Sequence, residues 1–146
     1  MKNYFFLFSF LISSFAIGQN ANFNVQKKYV AEGYDIVAYF DNKAIKGLKE
    51  FKVDYKGASF LFSSKVNAEK FKLNPEAYIP QYGGYCAYAI AKKGKKVKIN
   101  PKTFEIRNDK LYLFYNQGKN NTLQFWLNEN PVKLIKQADI NWLKII

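Results

Sequence analysis

The stretch "FKVDYKGASFLF", Phe51 to Phe62, limits the possible folds more than any other part of the chain. Phe51, Val53 and Tyr55 alternate with polar residues, Lys56-Gly57 is a turn pair, and Phe60 and Phe62 alternate again. Alternation with period two puts one apolar row on one face of a strand, and two such rows joined by a short turn make a β-hairpin. Ser63-Ser64 follows at once. A serine hydroxyl there can accept from an otherwise unpaired amide of a first helical turn, so the spacing predicts a helix over Lys65 to Leu73 with Ala68 and Phe71 on its inner face. Asn74-Pro75 restarts it. Asn is expected to cap, and Pro suits the first helical position because its missing N–H would be unpaired anyway, which gives one turn carrying Tyr78 inward.

The rest of the chain reads in similarly short pieces. "GYDIVAYF", Gly33 to Phe40, is too short for periodicity to decide between a buried strand and a helical turn. Gly83-Gly84 permits a tight and unusual backbone path. "CAYAIAKKG", Cys86 to Gly94, is alanine-rich with lysines in its last turn and a glycine to end it. A short helix is preferred, although the alternation of Cys86, Tyr88 and Ile90 also permits a strand. "KVKI", Lys96 to Ile99, reads as a short strand. Phe104 to Arg107 and Lys110 to Tyr115 form a second hairpin about an Asn108-Asp109 turn. Asn121 or Thr122 caps a helix through Asn128 carrying Phe125 and Trp126. Pro131 starts a terminal helix whose Val132, Ile135, Ala138 and Trp142 follow helical spacing. The expected fold is α+β: a small single domain of short antiparallel β-hairpins and several short helices, over residues 29–146.

The chain begins "MKNYFFLFSFLISSFAIGQN". Lys2 is a positive n-region, Tyr4 to Phe15 an apolar h-region, and Ala16-Ile17-Gly18 a small-x-small cleavage pattern. Residues 1–18 are therefore expected to be a secretory signal peptide, and the polar run 19–28 a flexible leader. Export to the periplasm or the cell exterior follows as the expected location, with no integral membrane segment after the signal. Hydrophobic residues at 49% suffice for one core. The single cysteine rules out an intrachain disulfide, so packing must hold the fold. The net charge of +12 reads first as a solubilising face, with one dense run, "KKGKKVK", at Lys92 to Lys98. Export argues against nucleic acid. Contact with an anionic membrane surface, a glycan or an acidic partner stays open.

"GYDIVAYF", "YKGASFLFSSKVNAEKFKLNPEAYIPQYGGYCAYAIA", "KLYLFYN" and the closing "ADINW" together resemble the YHS-domain family, in order and over nearly all of the exported part. The later blocks look like an exported bacterial subgroup of stand-alone YHS proteins, some of them described as selenoproteins, for which Cys86 is the natural position. The family is associated with metal handling through cysteine and histidine. That role does not carry over. Where such modules have cysteine, this chain has Ser63 and Asn67; where they have histidine before the turn, it has Phe51 or a neighbour; and it contains no histidine at all. Copper and zinc need several thiolate, thioether or imidazole donors at once. Glu32, Asp35, Asp41 and Asp54 could form a hard-ion site, but their spacing matches no calcium loop.

Cys86 has two readings. It fills a space between aromatics, or it sits at a helix start where the dipole would favour thiolate and redox chemistry. Without histidine, cysteine–histidine catalysis is excluded. Tyr78, Tyr82, Tyr85 and Tyr88, with Gly83 and Gly84, either line a pocket for a small aromatic or anionic ligand or belong to core and rim. Asp35, an acid in an apolar segment, is expected to accept from backbone amides or a lysine; a pocket role beside Cys86 is the sharper option. The sequence implies no cofactor. It implies a non-enzymatic accessory or small-ligand-binding module whose partner is an unidentified small molecule or exported protein. The alternatives are a thiol redox protein using Cys86 and metal handling by a Cys86-bridged homodimer.

Overall fold

A computed structural model describes residues 22–146; the expected signal peptide and the start of the expected leader lie outside them. Val25–Gln26 (β1) pairs with Tyr29–Val30 (β2), and Leu48–Tyr55 (β3) with Ala58–Phe62 (β4), both antiparallel. The β3–β4 turn is the expected Lys56-Gly57, with φ of 47° and 79°. Two consecutive left-handed residues match the twist of a hairpin. Lys65–Leu73 (α1) follows, and the Ser64 hydroxyl accepts from the Asn67 amide at 3.1 Å, as the cap pattern required. Ala68 and Phe71 are its buried residues.

Gly33 to Phe40 settles as tight turns of 3-10 type at Ala31–Gly33 and Ala38–Asp41, not as a strand. Pro75–Ala77 is one 3-10 turn, but the Asn74 side chain does not cap it. Ala87–Lys93 (α2) is the expected helix and ends on left-handed Gly94. Lys96 to Ile99 is not a strand. Its Val97 carbonyl instead accepts from the Cys86 amide at 3.0 Å, tying the segment to the start of α2. Asn100–Arg107 (β5) and Lys110–Phe114 (β6) form the second hairpin. Asn116–Gln117 (β7) and Asn120–Asn121 (β8) make a small third turn before Thr122–Asn128 (α3), whose cap is Asn121, and Pro131–Ile145 (α4) closes the chain. The molecule is a small mixed α+β domain whose strands pair only in antiparallel twos among the described residues.

Strand β6 positions the two halves of the interior. Its Leu111 and Leu113 enter a cluster with Val30, Ile36, Phe60 and Phe71, whereas Tyr112 and Phe114 enter a second cluster with Ile90, Trp126 and Leu134. Successive side chains of a strand point to opposite faces, so one strand buried on both faces serves as the wall between two cores. Within the polar run expected to be a flexible leader, Phe23 and Asn24 reach the interior while Val25 to Lys28 stay exposed. Phe23 stacks edge-on against Phe60, and Asn24 is buried. The Asn24 amide donates to the Gly83 carbonyl at 2.8 Å and its side chain to the Gly84 carbonyl at 3.0 Å. Sequence composition marked this run as polar; it could not reveal that a glycine pair sixty residues later offers two free carbonyls.

Candidate functional site

Asp35 lies fully buried between the hairpin and α1. Its Oδ1 accepts from the Val37 and Ala38 amides at 2.9 and 3.1 Å. Its Oδ2 accepts from the Ser63 amide at 2.8 Å, the Ser63 hydroxyl at 2.6 Å and the Asn67 side-chain amide at 2.8 Å. Five donors on one carboxylate offset the cost of taking the charge out of water. The expected role as acceptor for backbone amides is what the geometry provides; no lysine takes part. Ser63 and Asn67 are also the two positions where the resemblance would have placed cysteines. They converge in space, but as hydrogen-bond donors around a carboxylate.

The other carboxylates disperse. Glu32 pairs with Lys27, and Asp54 with Lys52 and Ser59. Among the described residues no group of three or more cysteine, aspartate or glutamate side chains is placed to hold a metal ion.

Cys86 immediately precedes α2 and is 0% exposed within the first core cluster. Its Sγ lies 3.3 Å from the Thr122 Oγ1. That hydroxyl donates its one proton to the Tyr115 carbonyl at 2.7 Å. The remaining lone pairs of Thr122 then face the sulfur, so the thiol donates and the neutral S–H is the form that fits. Of the two readings, the packed one describes this surrounding. A thiolate would meet an oxygen lone pair, and a Cys86-bridged dimer would need both sulfurs brought out of the core. Cys86 and Asp35 do not share a pocket; Cys86 lines neither surface cleft described below.

The tyrosines separate. Tyr78 packs edge-on against Phe40. Tyr88 donates to Glu129 at 2.6 Å, and that hydrogen bond pushes its phenol up to about 12. Tyr82 has the left-handed φ of 54° and continues into Gly83 at 61°, a path that turns the chain sharply before α2. Its ring is buried, and its hydroxyl donates to Asp139 of α4 at 2.9 Å; burial first, then this bond, raises its phenol far above the usual range. Tyr85 lies beside Trp142, and the Lys96 ammonium sits 5.6 Å over both rings.

Tyr82 and Gly83 line a cleft of about 1170 Å³, together with Phe23, Glu76, Asp139 and Trp142. Two of the expected pocket residues therefore reach a cleft. Tyr85, Gly84, Tyr88, Cys86 and Asp35 do not line it. Asp139 and Trp142 complete it from the terminal helix, and Phe23 from the N-terminal segment. Helical spacing identifies Trp142 only as a helix-face residue, and nothing local in the sequence brings Phe23 to it. A second cleft of about 560 Å³ lies between α2 and α4, lined by Lys92, Lys93, Glu129 and Lys133 among others.

The hairpin β3–β4 and the capped helix α1 that surround Asp35 lie within a segment that matches a known family. A family model described as the YHS domain matches residues 36–82, about a third of the chain. No curated protein and no solved structure matches the chain.

Proposed function

We propose that this protein is an exported, non-enzymatic accessory module that uses its YHS domain as a scaffold and holds a small, mainly apolar molecule in the Phe23–Tyr82–Trp142 cleft. The observation that carries the reading is the saturation of the polar groups. Asp35 is satisfied by five internal donors, and the thiol is committed to Thr122 inside the core. Neither is presented to a substrate, whereas the cleft offers the Phe23, Tyr82 and Trp142 side chains beside Lys56, Glu76 and Asp139, an aromatic lining with a few polar groups suited to holding one small ligand. Burial of Cys86 weighs against thiol redox chemistry.

The chain contains two tryptophans, and Trp126 is fully buried. Trp142 fluorescence therefore reports on the cleft. Titration with small aromatic carboxylates and aromatic amines is expected to give saturable quenching that Trp142→Phe abolishes. Absence of saturable quenching by either class sinks the ligand-binding reading. Export is tested by cell fractionation and by sequencing the N-terminus of the recovered protein, with a start at Gln19 expected.

A further inference from the structure

Helix α4 is apolar on two sides. Leu134 and Ala138 are buried, and Ile135, Trp142 and Ile145 are partly buried, in the second core cluster. At about 100° per residue the remaining apolar positions, Val132, Leu143 and Ile140, fall roughly a third to a half of a turn from the centre of that set. They are 57%, 51% and 73% exposed. Lys133, Lys136 and Lys144 are exposed on the same side, with Lys136 between Val132 and Ile140 in one i, i+4 row. The helix contains one acid, Asp139, at the edge of this face and hydrogen-bonded to Tyr82.

We propose that the outer face of α4 docks on an anionic phospholipid surface. Single exposed apolar residues need no explanation. Three in one stripe, interleaved with three lysines, match what an interfacial helix needs: apolar side chains to enter the acyl boundary and cations to meet the phosphates. The helix spans 15 residues, or about 22 Å, enough to lie in the plane of the surface. Lysine stems can lie along the apolar boundary while their ammonium groups stay among the headgroups. Charge selects this occupant over a second copy of the chain, since antiparallel pairing of the face would set lysines against lysines. No helix among the described residues is long and apolar enough to cross a membrane, so this contact is peripheral.

The test is cosedimentation of the protein, purified in the form the cell retains, with vesicles of phosphatidylcholine alone or with an equal share of phosphatidylglycerol. Binding is expected only to the second and should weaken as salt rises. Lys136→Gln should weaken it about fivefold, and Val132→Ser with Ile140→Ser about tenfold or more. Circular dichroism checks that the variants keep their fold, which exposure of these side chains favours. Three results overturn the proposal: equal binding to both vesicle types, no binding to either, or variants that stay folded yet bind like the parent. Salt-insensitive self-association through this face, detected by sedimentation without lipid, also overturns it.

Discussion

Replacing Asp35 with alanine removes the one acceptor shared by the Val37, Ala38 and Ser63 amides, the Ser63 hydroxyl and the Asn67 side chain. Each buried donor left unpaired costs about 1–3 kcal/mol. The five are not independent, because Ser63 and Asn67 can turn toward water once α1 shifts. A total loss of about 4 kcal/mol is expected, in line with breaking a buried charged network. For a domain of this size that lowers Tm by about 15 °C. Asp35→Asn separates shape from charge. Its oxygen can keep the Val37 and Ala38 amides, but its NH₂ group then faces three donors, so it should lose about 2 kcal/mol or more despite equal volume. Urea unfolding followed by circular dichroism measures both, with an unchanged slope showing that compactness is preserved. If both variants unfold within about 1 kcal/mol of the parent, the carboxylate does not organise the junction of hairpin and α1, and the reasoning fails.

Three further outcomes test other parts of the structure. Cys86 should resist a thiol-specific reagent in the folded protein and react in full after denaturation; rapid modification of the native state would contradict its burial and its bond to Thr122. A Cβ at Gly83 would clash with the Asn22 carbonyl oxygen, at a φ of +61° that side chains rarely adopt. Gly83→Ala should therefore detach the segment around Phe23, seen as faster proteolysis there and loss of at least about 2 kcal/mol of stability; unchanged proteolysis would refute the close approach. Burial raises the Tyr39, Tyr82 and Tyr112 phenols, the last to about 12. An unfolded tyrosine ionises near 10, so above that pH the unfolded state loses protons the folded state keeps. The stability these groups contribute is complete below about pH 10 and is lost as pH rises toward their folded values. Unfolding temperature should fall steadily above that point, with phenolate absorbance appearing late; uniform titration of all the tyrosines near 10 in the folded protein would oppose it.

Local chemistry was legible wherever a few adjacent residues sufficed. The turn at Lys56-Gly57, the Ser64 cap, Gly94 at the end of α2 and Pro131 at the start of α4 each depend on neighbours within one turn, and each stands where the pattern placed it. Short apolar runs were less readable. Gly33 to Phe40 took a turn conformation that periodicity could not select over eight residues. Lys96 to Ile99 found its hydrogen bond at the start of α2 rather than on a neighbouring strand.

By itself, the sequence determined which donors exist: one thiol, no imidazole, and an acid at position 35 that had to find partners once its apolar neighbours were buried. Composition is a property of the chain in any conformation. Only the tertiary structure decided which groups those donors and acceptors meet. It folded Ser63 and Asn67 around Asp35, set Thr122 against Cys86 from 36 residues away, and brought Phe23 and Trp142 from opposite ends of the chain to one cleft with Tyr82. Such pairings arise from two cores sharing strand β6, and spacing along the chain carries no record of them.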